Sequence, residues 1–187
     1  VDCMLQVDNA EGIGDIVASA EDFVGNTAAV TEEEYIIDST QPVIVVTAPD
    51  KASNSPITTV AVAITDNLGV RAADVAIAAT AQTGGFSISN VACTQTSAVR
   101  VDCTLQINGV EGTGSLVVDA QDRVGNDLST IESGFTIDTT PPVTPPLTLH
   151  NDSDTGVIGD MITNSIAPTV VARCTEAPGV ISLSIDG

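Results

Sequence analysis

The chain has 187 residues, with 25 acidic and 5 basic side chains and a formal net charge of −20. Its hydrophobic fraction of 43% is too high for an acidic disordered tail, so the chain can bury an aliphatic core. The five cations form no basic patch, which argues against nucleic acid and anionic membrane surfaces as partners. No stretch approaches the roughly 20 apolar residues of a membrane helix, so we expect no membrane insertion in this segment.

An internal repeat organises the chain. Residues 1–43 match residues 101–143 at an offset of 100 without a gap, and substitutions at apolar positions are conservative. The repeat unit therefore has about 100 residues. The repeat predicts the C-terminal half of one repeat at 1–40, a complete repeat at 41–140, and the N-terminal half of a diverged repeat at 141–187. We therefore expect an internal piece of a longer repeat protein.

The complete repeat consists of short apolar segments that alternate in polarity and are separated by turn residues. In one of them, the large side chains of Val60, Val62 and Ile64 face one way and the intervening alanines the other. The predicted strands are 43–48, 57–65, 74–80, 86–93, 99–107, 115–120 and 131–138. Seven short strands in about 100 residues predict an all-β, antiparallel, immunoglobulin-like (Ig-like) β-sandwich.

Three motifs carry a resemblance to a known class of proteins. They are A-x-D-x-x-G-N at 120–126, I-D-T-T-P-P at 137–142 and D-N-L-G-V at 66–70. The pattern resembles bacterial Ig-like repeats, the tandem domains of large surface adhesins and biofilm-associated proteins. The resemblance implies an extracellular, cell-surface protein with a structural role, whose modules have neighbouring repeats of the same chain as partners.

Three roles are compatible with this class. The segment is the stalk of an adhesin, or a protomer of an extracellular filament or sheath in which half-repeats of identical subunits pair through strands. The third role is a spacer in a secreted enzyme. We expect no enzymatic activity in the chain itself, because its single His150 lies in a linker-like segment and no catalytic motif is present.

The four cysteines are Cys3, Cys93, Cys103 and Cys174. Cys93 and Cys103 flank a turn-like stretch at 94–100, which favours a disulfide across a hairpin; the alternative is two free buried thiols. Because Cys3 is the counterpart of Cys103, its partner is expected ten residues upstream of it. Cys174 is either a buried thiol or pairs outside the segment. A disulfide indicates an oxidising, extracellular compartment.

Acidic side chains are concentrated in loops that an Ig-like sandwich brings to its two ends. The residues expected at the first junction between repeats are Asp8, Glu11, Asp38, Asp66 and Asp122. Those expected at the second junction are Glu111, Asp138 and Glu176, and Asp152 and Asp154 form a further candidate in the segment 151–156.

Oxygen ligands from separate loops are what calcium uses, at six to eight per ion. The sequence therefore predicts calcium ions that stiffen the junctions. The alternative is that these side chains cap turns and keep the surface soluble. For Asp122, which begins the segment D-R-V-G-N, the turn role is favoured.

Overall fold

The computed structural model describes residues 4, 6–7, 11–109, 111–143, 146–172 and 182. Within them the chain is all-β and has no helix, and hence none that is long and apolar enough to cross a membrane. The chain forms two compact units, Val1–Thr139 and Thr140–Gly187. The predicted repeat boundaries after residues 40 and 140 stay predictions.

The first unit begins with a hairpin and continues with two four-stranded sheets. The hairpin consists of β1 (Gly12–Glu21) and β2 (Thr27–Ile37), which pair antiparallel. The remaining strands are β3 (Val43–Thr47), β4 (Ala52–Ser53), β5 (Ile57–Thr65), β6 (Val70–Gly84), β7 (Ser87–Ser97), β8 (Arg100–Asn108), β9 (Gly112–Asp122) and β10 (Asp127–Ile137). One sheet has the order β3-β5-β8-β7 and the other β4-β10-β9-β6. Each predicted strand overlaps one of these elements.

The core consists of side chains from both sheets. In β5, the predicted alternation is confirmed, because Val60, Val62 and Ile64 are at most 1% exposed. Strands β8, β9 and β10 add further large members of one hydrophobic cluster, among them Val101, Cys103, Leu105, Ile107, Leu116, Val118 and Phe135. Burying a side chain of this size stabilises the fold by roughly 1.5–3 kcal/mol. Two sheets that share one core form a sandwich-like arrangement.

Strand β4 departs from the predicted antiparallel pattern, since it runs parallel to β10 with Thr136 opposite Ala52. The N–H of Thr136 donates to Lys51 O at 2.7 Å, and the N–H of Asp138 donates to Ser53 O at 3.0 Å. After β3 the chain crosses from one sheet to the other, where β4 forms the edge strand beside β10. A two-residue strand is too short to show alternation, so the sequence did not predict it.

A disulfide joins Cys93 to Cys103, the pair predicted from the sequence. The two residues are directly opposite each other in β7 and β8, with their Cα atoms 4.0 Å apart. The predicted turn at 94–100 is wrong in extent, because β7 continues to Ser97 and only 98–99 form the turn. Cys3 and Cys174 lie outside the described residues.

The β1–β2 hairpin repeats the register of β9–β10 at the sequence offset of 100. Gly12 is opposite Ile37 in the first hairpin, and Gly112 is opposite Ile137 in the second. Both hairpins also have a register shift at equivalent positions. The two hairpins therefore share their local geometry as well as their sequence.

The burial of the two hairpins differs. Phe135 of β10 is 0% exposed, whereas its counterpart Tyr35 in β2 is 45% exposed. Leu116 of β9 is likewise buried, and its counterpart Ile16 is only partly buried. The face that β9–β10 presents to the core is thus uncovered in β1–β2.

In the second unit, β11 (Leu147–Leu149) pairs antiparallel with β12 (Val170–Ala172). The described segment between them consists of turns and irregular structure.

Candidate metal centre

The segment that joins β2 to β3 is held from the hairpin side by Glu11. The N–H of Ser39 donates to Glu11 Oε1 at 3.1 Å, the Ser39 hydroxyl donates to the same oxygen, and Thr40 Oγ1 donates to Oε2 at 2.8 Å. Asn67 of the β5–β6 loop also donates to Oε2, at 3.3 Å. These bonds, led by the Ser39 hydroxyl, lower the pKa of Glu11.

From the sandwich side, the same segment is held by Asn126 in the β9–β10 loop. Its side-chain amide donates to the backbone oxygen of Asp38 at 3.1 Å and to Asp122 Oδ2 at 2.6 Å. Gln41 adds a bond to the backbone oxygen of Asp127 at 2.6 Å. We call residues 38–42, together with the β5–β6 and β9–β10 loops, the joint.

Asp122 fixes its own turn within the joint. Its Oδ1 accepts the backbone N–H groups of Val124, Gly125 and Asn126 at 2.7–2.9 Å. The expected capping of this turn by Asp122 is thereby confirmed, whereas its role as a calcium ligand stays a prediction. Its counterpart Asp22 caps the β1–β2 turn in the same manner. The motif A-x-D-x-x-G-N thus encodes a capped hairpin turn.

Three carboxylates meet in the joint. Asp38, Asp66 and Asp122 each offer an oxygen, and these oxygens lie within 4.8 Å of one another. Two like unit charges 4.8 Å apart repel by roughly 3 kcal/mol at an effective dielectric constant of about 20. Among the described residues, no cationic side chain forms an ion pair with any of the three.

Asp66 supplies a second, independent indication of a ligand. It is 8% exposed, and its Oδ1 accepts the N–H groups of Leu68 and Gly69 at 2.9 and 2.7 Å. Its Oδ2 is buried and has no hydrogen-bond partner among the described residues. Because leaving a buried carboxylate oxygen unpaired is costly, a cation at this position would satisfy it.

The chemistry of the cluster favours a hard cation. All three side chains donate oxygen, which suits calcium or magnesium and not the softer ions that select sulfur and imidazole. Three carboxylates supply only part of a calcium shell, and water or backbone carbonyls commonly supply the remainder.

Of the remaining predicted ligands, Asp8 and Glu176 lie outside the described residues, and the others are not part of the cluster. Glu11 accepts hydrogen bonds from Ser39 and Thr40 in the segment between β2 and β3, and it does not belong to the three-carboxylate group. The backbone N–H and the hydroxyl of Thr139 donate to Glu111 Oε2 at 2.9 and 3.0 Å, so Glu111 repeats the role of Glu11 one hundred residues later.

Asp138, Asp152 and Asp154 likewise join no group of three potential ligands among the described residues. In the second unit, Asp154 is 6% exposed, its Oδ2 accepts the N–H of Gly159, and its Oδ1 has no hydrogen-bond partner in the described part of the chain. The Asp152 side chain is 92% exposed and lies 3.6 Å from His150 Nδ1.

Motif and spacing did not predict the role of Asn126, although the residue belongs to the repeated G-N motif. The repeat supplied a usable signal, because Asn26 and Asn126 both follow a glycine in a turn that the aspartate already caps. The Asn126 side-chain amide donates to Asp122 within the turn and, in addition, to the backbone oxygens of Asp38 and Thr40 in the segment between β2 and β3.

Comparison of the chain with protein-family models, curated proteins and solved structures found no match.

Proposed function

We propose that the chain is a structural, non-catalytic segment of a large extracellular bacterial protein, in which tandem Ig-like β-sandwich repeats space or project a cell-surface adhesin. The observation that carries this proposal is the joint. It connects the linker that leaves one hairpin to two loops of the following sandwich. A spacer needs such connections, because it can project a distant domain only if successive modules resist bending.

Calcium is the cofactor we propose for this joint, with Asp38, Asp66 and Asp122 as ligands. Asp38 lies in the segment between β2 and β3, Asp66 directly follows β5, and Asp122 is the last residue of β9. An ion shared among them would cancel their mutual repulsion and connect the linker to the sandwich. Extracellular modules need only weak sites, with dissociation constants of roughly 10⁻⁴–10⁻³ M.

The disulfide and the acidic composition support an extracellular location. Disulfides persist in oxidising compartments, and Cys93–Cys103 joins neighbouring strands of one sheet. The strongly negative net charge keeps adjacent copies on a crowded cell surface soluble by mutual repulsion.

Isothermal titration with calcium tests the proposal on the 187-residue chain. We expect Asp66→Asn to remove one bound calcium, since the amide keeps the Oδ1 acceptor for the loop and loses the charge. The matched control is Asp22→Asn, which alters a capped turn whose aspartate belongs to no group of three potential ligands in the described part of the chain. Absence of calcium binding in the unaltered chain, or equal binding after Asp66→Asn, would contradict the proposed site.

A filament protomer is a second candidate, and the uncovered face of the β1–β2 hairpin favours it. In that case half-repeats of identical subunits would cover one another. If the chain is a filament protomer, analytical ultracentrifugation should show assemblies that grow with protein concentration. If it is part of a stalk, the chain should be a monomer.

A further inference from the structure

In the complete sandwich, an aromatic ring fills a position that only glycine leaves open. A Cβ atom built on Gly114 would lie 2.1 Å from Phe86 Cδ1, far inside van der Waals contact. The Phe86 ring is 6% exposed, and its centroid lies 6.3 Å from that of Phe135. Phe135 is in turn directly opposite Gly114 in the β9–β10 pair. The glycine, the phenylalanine opposite it and the inserted ring form one packing unit.

The β1–β2 hairpin contains the same unit without the ring. Gly14 is directly opposite Tyr35, as Gly114 is opposite Phe135. Among the described residues, no atom beyond Gly14 and its two chain neighbours lies within 4 Å of a Cβ built on Gly14. A groove of about 280 Å³ adjoins it, lined by Ile16, Tyr35 and Ile37 among others.

The backbone gives no other reason for glycine at this position. The φ angles of Gly14 and Gly114 both lie outside the left-handed region that favours glycine. An alanine is therefore compatible with the backbone at both positions. Glycine is needed at position 114 because the Phe86 ring occupies the place of a Cβ atom. The repeat has the same residue at position 14, where no atom of the described residues occupies that place.

We propose that the exposed face of β1–β2 is a docking surface for a segment of the type of residues 41–100, joined ahead of residue 1, and that Gly14 receives its aromatic ring. The inference rests on the proposed tandem arrangement. Position 1 corresponds to position 101, which in the complete repeat directly follows such a segment. A second copy is the less suitable occupant, because residues 1–40 contain no lysine or arginine and each copy carries a net charge of −20.

The test extends the chain by fusing residues 41–100 ahead of residue 1, which recreates the Arg100–Val101 junction with Val1 in the place of Val101. We expect Gly14→Ala to lower the first melting transition of the extended chain by at least about 5 °C, because the methyl group collides with the added Phe86. In the 187-residue chain the same substitution should change the melting temperature by less than about 2 °C. Equal shifts in the two chains would overturn the proposal.

A matched pair of variants checks that the ring is responsible. If the added Phe86 ring contacts position 14, the two residues are coupled. Replacing Phe86 by alanine in the added segment alone should then abolish most of the Gly14→Ala effect. As a reference, Gly114→Ala should destabilise the 187-residue chain itself. Additive effects of Gly14→Ala and the added Phe86→Ala would contradict the proposal that the added Phe86 ring occupies the space beside Gly14.

Tyr35, the sole tyrosine, gives a readout that does not depend on a variant folding well. Its fluorescence should be quenched by iodide in the 187-residue chain and protected in the extended chain. Unchanged quenching would contradict docking.

Sedimentation identifies the source of the occupant. We expect the 187-residue chain to be monomeric, and a dimer that Gly14→Ala disrupts would assign the surface to a second copy and overturn the proposal. Calcium titration of the same chain remains a separate test of the proposed function, because Gly14 is not part of the joint.

Discussion

At the residue scale, Asn126 illustrates how one side chain connects two modules. Its amide binds Asp122 within the turn and the backbone of Asp38 in the linker. Asn26 binds only Asp22 among the described residues. The two residues share a sequence motif and a turn, and they differ in whether a linker lies within reach.

Asn126→Ala should therefore destabilise the chain more than Asn26→Ala. We expect a difference of about 0.5–1.5 kcal/mol, the typical net value of the hydrogen bond to the linker. Urea unfolding of the two variants beside the unaltered chain measures it. Equal losses would mean that the bond to Asp38 contributes nothing to stability.

Glu11 makes the joint sensitive to acid. Its folded-state pKa lies below the ordinary value of 4.5, chiefly because the Ser39 hydroxyl donates to the carboxylate. Its stabilising contribution is present above pH 4.5 and is lost as the pH falls through the folded-state pKa.

The amide resonance of Ser39, whose N–H donates to Glu11, reports this titration. We predict that this resonance shifts as the pH falls below 4.5. In Glu11→Gln this pH-dependent shift should be absent. A Ser39 resonance that titrates identically in the variant would assign the change to another carboxylate.

At the element scale, alternation predicted the strands well because each sheet buries one face. β5 begins and ends at the predicted residues 57 and 65. β4 escaped prediction since its two residues are placed by pairing with β10, a tertiary contact. The predicted turn at 94–100 was too long, because polar threonine, glutamine and serine continue β7 along the edge of its sheet.

The disulfide predicts a simple peptide map. Arg100 lies between Cys93 and Cys103, so trypsin separates the two cysteines into peptides 72–100 and 101–123. These peptides should stay linked until a reducing agent is added. Replacing both cysteines by alanine should lower the free energy of unfolding by about 2–3 kcal/mol. Recovery of separate peptides without reduction would contradict the bridge.

At the scale of the whole molecule, the repeat predicted where acidic loops converge but not how closely. Topology alone placed Asp38, Asp66 and Asp122 at one junction. Their separation and the buried, unpaired oxygen of Asp66 depend on loop geometry, which composition and spacing do not encode. The same topology grouped Glu11 with them, although its carboxylate binds the linker.

Hydrogen–deuterium exchange with and without calcium tests the central claim most directly, that a cation holds the joint together. We predict slower exchange at 38–41, 66–69 and 122–126 when calcium is added, with little change in the β1–β2 turn at 22–26. Asp66→Asn should remove this protection. Exchange at the joint that calcium leaves unchanged, or that slows equally throughout the chain, would contradict the account.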